Sequence, residues 1–92
     1  MDNATLYNCC TDNAAPKWSD FTWLEIGGCI TFVADDGCTV TEGGIDDDKA
    51  EFWTVYGRCN WGGCEAITDC KTRESAERVA LELSRVSGLE IR

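Results

Sequence analysis

Apolar residues recur at helical spacing in one part of the chain, residues 72–87. The segment reads TRESAERVALELSRVS, and its apolar positions stand three or four residues apart, at Ala76, Val79, Ala80, Leu83 and Val86. This spacing is that of the buried face of an amphipathic helix. Thr72 is a favourable N-cap residue and Gly88 a favourable residue after the helix end. The pattern therefore predicts a helix over about residues 72–87, followed by a short tail.

The pattern before residue 71 is typical of short β-strands separated by turns. Aromatic and β-branched residues suit a pleated sheet; they concentrate at 21–26, 29–34, 38–41, 52–56 and 64–70, with 6–10 as a further candidate. The pair Asp36-Gly37 between two such runs indicates a hairpin. Several antiparallel strands before a single helix predict an α+β fold. We expect a small antiparallel sheet of about four to five strands, with one C-terminal helix packed on one face.

The strand predicted at residues 64–70 does not show which of its sides is buried. Ala66 and Thr68 fall on one side of an alternating strand, and Ile67 falls on the other with two acids. A strand covered on both faces would accommodate this pattern.

Length and charge give the organisation of the chain. Its 92 residues are typical of one domain, residues 1–92. An acidic, β-rich part covers residues 1–70, where 13 acids face 3 bases, a net charge of −10. Residues 71–92 have 4 acids and 5 bases, a net charge of +1. A negative field attracts basic surfaces and repels nucleic acids and anionic membranes, so we expect neither free nucleic acid nor a membrane as a partner.

Acidic residues concentrate between residues 35 and 51. Seven of them fall within 17 residues, opposed only by Lys49: Asp35, Asp36, Glu42, Asp46, Asp47, Asp48 and Glu51. Strand geometry sets carboxylates at separations similar to those of nucleic-acid phosphates. Such acids can occupy a groove of lysines and arginines through charge-assisted hydrogen bonds. We therefore predict that these seven residues bind a basic partner, as a nucleic-acid mimic.

Two tryptophans are candidate anchors for the same partner. Trp23 and Trp61 lie near predicted turns, where some tryptophan surface is expected to stay exposed. Tryptophan is over-represented among the residues that dominate binding at interfaces. The hypothesis is that the acids steer the partner while one or two aromatic side chains anchor it.

The chain has few of the residue patterns typical of catalytic or metal-binding sites. The chain has no histidine, the residue that most often transfers protons at neutral pH, so we expect no enzyme and no cofactor. Its seven cysteines have neither the two-residue spacing nor the histidine partners usual at zinc sites. Adjacent aspartates without the alternating loop of a calcium site do not favour calcium. No metal is therefore expected.

The cysteines have three possible roles: a disulfide scaffold, a metal or redox module, or small buried apolar residues in reduced form. An odd number excludes complete internal pairing. The first residues have no basic or apolar region typical of a signal peptide, and no apolar run reaches 18 residues, so we expect neither export nor a membrane span. We favour reduced, buried cysteines in a cytoplasmic protein. Cys59 and Cys64, which flank a predicted turn, are the first candidates for a pair.

The acidity, the small size, the short sheet and the single helix together resemble the phage-encoded anti-CRISPR proteins, in particular inhibitors of the type I-F surveillance complex. Residues 52–83, FWTVYGRCNWGGCEAITDCKTRESAERVALEL, are also similar to a hairpin-plus-helix pattern of small phage and plasmid proteins. The resemblance implies a non-enzymatic inhibitor in the host cell cytoplasm. Its partner would be the basic, crRNA-bound DNA channel of a CRISPR-Cas effector complex, and it would block target DNA binding or hybridisation.

Two other functions remain open at the level of the sequence. One is a phage or plasmid accessory protein that binds a host regulator. The other is an interaction module that forms a homodimer through the edge of its sheet. The salt dependence of binding distinguishes an electrostatic interface from one anchored by aromatic side chains, since exposed charge interactions weaken with salt.

Overall fold

Four strands form one antiparallel sheet in the computed structural model, which describes residues 1–92. The strands are β1 (Phe21–Val33), β2 (Thr39–Ile45), β3 (Phe52–Cys59) and β4 (Cys64–Cys70), in the order β2-β1-β3-β4. A short helix, α1 (Asn3–Leu6), precedes them, and a longer one, α2 (Arg73–Ser87), follows and packs on one face. The predicted α+β fold is confirmed. No helix has the length and apolar character needed to cross a membrane.

The core lies between the sheet and α2. Leu24, Val55 and Ile67 on the sheet are almost completely buried against the apolar side of the helix, which consists of Ala76, Val79, Ala80 and Leu83. Thr72 caps the helix by accepting a hydrogen bond from the Ser75 amide at 3.0 Å, and Gly88 ends it with a positive φ of 78°. Both predicted ends of the helix are therefore confirmed.

Val86 does not belong to the buried face, contrary to the sequence prediction. Its exposed fraction is 48%. With about 100° of rotation per residue, Ser87 lies closer to the centre of the buried face than Val86 does. The Ser87 hydroxyl donates to the Leu83 carbonyl and accepts from the Leu89 amide, which turns the chain into its tail.

The strands predicted at residues 21–26 and 29–34 are one continuous strand, β1. The glycine pair between them does not form a turn. A Cβ on Gly28 would lie 2.4 Å from the carbonyl oxygen of Ile45, and one on Gly27 would lie 3.1 Å from the Tyr56 ring. Glycine inside a strand often marks such a close approach. Here Gly28 lets the backbone of β2 approach β1, and Gly27 lets the Tyr56 ring pack against it.

The segment 6–10 is not a strand. Its first residue, Leu6, ends α1, which Asp2 caps, and the chain then runs along the outer edge of β4. The Asn8 side chain donates to the Asp69 carbonyl and accepts from the Asp69 amide, at 2.9 and 2.7 Å, and the Cys9 amide donates to the Ile67 carbonyl. One edge of the sheet is thereby covered.

A bulge in β4 resolves the conflict between its two sides. Val55 pairs with Thr68 and the next residue, Tyr56, pairs with Ala66, so Ile67 is an extra residue in the ladder. Both Ile67 and Thr68 consequently point toward the core and are buried. The Thr68 hydroxyl is satisfied by the Leu6 carbonyl.

The β1–β2 hairpin extends beyond the rest of the sheet. Strand β3 pairs with β1 only as far as Cys29, whereas β2 pairs with β1 up to Val33. Residues 30–42 therefore form a two-stranded arm, and its tip is the turn at residues 34–38. We call residues 30–42 the arm and residues 46–51, between β2 and β3, the acidic loop.

Candidate functional site

The seven predicted acids lie along β2 and at both of its ends. Asp35 and Asp36 are at the tip of the arm, Glu42 is on β2, and the other four are in the acidic loop; all seven are exposed. The seven residues of β2 span roughly 20 Å at about 3.3 Å per residue. The structure thus arranges these acids as two groups joined by a strand rather than as one compact cluster.

Three of the seven are engaged within the molecule. Asp47 accepts a hydrogen bond from the Trp53 indole at 3.1 Å and pairs with Arg73 at 3.2 Å. Glu51 accepts from the Thr31 amide at 2.8 Å, and Asp36 accepts from the Cys38 amide at 3.0 Å. Both of these contacts leave a carboxylate that is exposed and has no basic side-chain partner.

The remaining four carboxylates have no hydrogen-bond or salt-bridge partner: Asp35, Glu42, Asp46 and Asp48. All five arginines of the chain are paired with acids, and only Arg73 reaches the predicted set. Residues 30–51 contain seven acids and one lysine, so their net charge is −6. The molecule's own cations leave most of this charge uncompensated.

The arm also exposes apolar side chains. Phe32 pairs with Val40 across the hairpin, and they are 43% and 37% exposed. Helix α2 packs where β1, β3 and β4 lie side by side, so it does not cover this pair. Val33, on the other face, is 71% exposed. Acidic and apolar groups are thus combined on one projecting element.

Trp23 is engaged by the protein's own charges. Its ring lies 5.8 Å from the Arg58 guanidinium and 4.2 Å from that of Arg92, and its indole donates to Glu25 at 2.9 Å. This indole hydrogen bond, with a smaller contribution from Arg58, lowers the pKa of the Glu25 carboxyl. Trp23 is half-buried, which leaves only part of its ring for an anchoring role.

Trp61 is exposed but remote from the acids. It lies in the turn between β3 and β4 and has an exposed fraction of 70%. The start of β3 adjoins the acidic loop and its end adjoins Trp61, so the eight residues of β3 separate the two by about 25 Å. An anchor at Trp61 and the acids of the arm do not form one continuous patch.

All seven cysteines are free thiols, but few of them are apolar core residues. Cys29 and Cys59 are buried, Cys10 and Cys70 are half-buried, and the remaining three are exposed: Cys9, Cys38 and Cys64. Cys64 pairs with Arg58, the neighbour of Cys59 on β3. Because successive strand residues point to opposite faces, Cys59 and Cys64 lie on opposite sides of the sheet and do not face each other.

A groove of about 430 Å³ lies on the sheet face opposite α2, with walls that include Glu25, Tyr56, Cys64 and Arg92. Burial, reinforced by a hydrogen bond with Cys29, raises the pKa of Tyr56 to about 12. The pKa of Glu25 is lowered. Both shifts move away from neutral pH, the opposite of what general acid–base catalysis needs.

Three structural features of the site are outside the sequence predictions. They are the exposed pair Phe32–Val40, the tether of Asp47 to Trp53 and Arg73, and the covering of the β4 edge by Asn8. The β-branched and aromatic residues of segment 29–34 predict a strand, but no pattern indicates that this strand extends beyond its neighbours. The signals in the arm are the turn pair Asp36-Gly37 and the unusual density of acids.

Comparison of the chain with protein-family models, curated proteins and solved structures finds no match. The arrangement of the residues described above is therefore the basis for proposing a function.

Proposed function

We propose that this protein is a non-enzymatic binding protein that docks its acidic arm and acidic loop on a cationic protein surface. The observation that carries the proposal is the imbalance of charge pairing. All five arginines are paired with acids, whereas six of the seven acids between residues 35 and 51 have no salt bridge. A concentration of unpaired like charge repels itself and adds nothing to folding.

A DNA-binding channel on a CRISPR-Cas surveillance complex of type I-F is the partner that we propose. Such a channel is cationic because it binds a phosphate backbone, and the exposed carboxylates on β2 and beyond its two ends would take the place of phosphates. In this proposal the protein is a phage-encoded inhibitor that acts in the host cytoplasm and blocks target DNA binding or hybridisation. The support is its acidity, its small α+β fold and the resemblance to anti-CRISPR proteins.

The experiment measures binding of the chain to a purified type I-F complex and the displacement of target DNA from it. The double variant Asp46→Asn/Asp48→Asn removes two charges without affecting Asp47, which is bonded to Trp53 and Arg73. We expect it to weaken binding at least tenfold, since charge-assisted hydrogen bonds are lost. Binding by the unmodified chain is expected to weaken as salt rises from about 0.05 to 0.5 M.

A matched variant controls for overall charge. Asp12→Asn/Glu65→Gln also removes two exposed acids that have no salt bridge, but from outside residues 30–51. It should bind almost as the unmodified chain does. If both variants weakened binding equally, the loss would come from net charge and not from the position of the acids. If the unmodified chain did not bind the complex, the CRISPR partner would be rejected.

A further inference from the structure

The outer edges of β2 and β4 are the two edges of the sheet, and they differ in the hydrogen bonding of their backbone groups. The outer edge of β4 is covered by Asn8 and Cys9, which bond to the backbone of Asp69 and Ile67. Where β1 extends past β3, its side facing away from β2 also has a hydrogen bond, which the Thr31 amide donates to the Glu51 carboxylate. The outer edge of β2 has no hydrogen bond to any loop or side chain. Proteins usually protect the exposed edges of their sheets, so the unbonded outer edge of β2 is the exception in this molecule.

The hairpin turn identifies which backbone groups are available on β2. The Ala34 amide donates to the Cys38 carbonyl at 2.8 Å, and bonded and non-bonded pairs alternate along an antiparallel ladder. The pairs Val33–Thr39 and Thr31–Thr41 are therefore the non-bonded ones. The outward bond of the Thr31 amide to Glu51 agrees with this alternation. Thr39 and Thr41 accordingly present their N–H and C=O groups to solvent.

The charge next to this edge selects among possible occupants. A second copy would bring the acids at the tip and base of β2 against acids of its neighbour in either orientation, because both ends of the strand are acidic. Like charges across a strand pair are destabilising. A strand containing lysine or arginine would instead meet Glu42 on β2, Asp35 beyond one end of the strand and Asp46 beyond the other.

We infer that the outer edge of β2 accepts an extended, basic segment of the partner as a fifth strand of the sheet. Backbone bonds to Thr39 and Thr41 would provide affinity, as in other cases of strand addition. Basic side chains on the added strand would contact the carboxylates, and its apolar residues would lie beside Val40. This inference depends on the proposed function, since it specifies how the cationic partner binds.

The probe is a synthetic peptide of about eight residues, a typical strand length, in which lysine and valine alternate and both ends are blocked. Its neutral counterpart has glutamine in place of lysine. Hydrogen exchange of the full chain, followed residue by residue by NMR, should slow at the amides of Thr39 and Thr41 when the basic peptide binds. Binding without any change in exchange at these two amides would overturn the inference.

Two substitutions at one position test the backbone contact. Thr41→Pro removes the outward N–H without removing a β1–β2 bond, whereas Thr41→Ala removes the same side chain and keeps the N–H. We expect the proline variant to bind the peptide at least tenfold more weakly than the alanine variant. Equal binding would overturn strand addition. If the free chain dimerised and Thr41→Pro abolished the dimer, the outer edge of β2 would instead bind a second copy of the chain.

The outcomes separate this inference from the proposed function. If Asp46→Asn/Asp48→Asn weakens partner binding but Thr41→Pro does not, the charged interface stands and strand addition fails. If the peptide protects Thr39 and Thr41 but no cationic protein partner responds to the acidic substitutions, the edge site stands and the proposed function fails.

Discussion

Cys9 shows how the surroundings of a residue modify its chemistry. The residue is exposed overall, yet burial around its sulfur and the nearby Asp69 raise the pKa of its thiol to about 12. At pH 8 roughly one molecule in ten thousand is then a thiolate at this position, and the thiolate is the reactive form. We predict that iodoacetamide labels the exposed Cys38 and Cys64 well before Cys9, and that labelling of Cys9 accelerates about tenfold per unit of pH between 8 and 10. Peptide mapping by mass spectrometry would measure this order, and faster labelling of Cys9 would contradict it.

Gly28 is a position where one methyl group should destabilise the fold. Its Cβ would lie 2.4 Å from the Ile45 carbonyl oxygen and 2.9 Å from the Ala50 side chain, so the backbone of β1 or β2 would have to move. Overpacking of this kind costs about 1–3 kcal/mol. We expect Gly28→Ala to lower the free energy of unfolding by that amount in urea denaturation. Gly27→Ala is the matched control, since its Cβ would meet only the movable Tyr56 ring at 3.1 Å; an equal loss in both variants would refute the explanation.

At the scale of the element, the covering of β4 depends on one side chain. Asn8 forms two hydrogen bonds with the backbone of Asp69, and each such bond contributes about 1 kcal/mol. Asn8→Ala should therefore reduce stability by about 1–2 kcal/mol and speed hydrogen exchange at the Asp69 amide. Asn3→Ala, at an exposed position of α1 with no side-chain hydrogen bond, is the control. Unchanged exchange at Asp69 would show that the β4 edge is held by other contacts.

The elements also show what the sequence can and cannot predict. Helix α2 was predictable because its periodicity and both caps are local signals, and the tip of the arm because Asp36-Gly37 is a turn signal. The continuity of β1 was not, since Gly27-Gly28 has the composition of a turn and its role depends on contacts with Tyr56 and Ile45. Exposure of the acids followed from their polarity, but the partners of Asp47 and Glu51 come from distant segments.

Charge is distributed unevenly over the whole molecule, and this has a consequence for stability. Helix α2 contains salt bridges within its own length, whereas Asp46 and Asp48 crowd Asp47 and Glu51 in the acidic loop. In the free protein this crowding opposes folding, because like charges on one turn repel each other by a few tenths of a kcal/mol per pair. The unpaired acids should therefore weaken the folded state that displays them.

Neutralising part of the loop should accordingly stabilise the protein while weakening its binding. We predict that Asp46→Asn/Asp48→Asn raises the free energy of unfolding by about 0.5 kcal/mol at low salt, and that the gain shrinks toward zero at 0.5 M NaCl as screening increases. Glu65→Gln, which removes one charge from β4, should have a smaller effect. Urea denaturation at the two salt concentrations measures both. A loss of stability in the double variant would mean that these aspartates support the fold, and the proposal that their charge serves a partner would then fail.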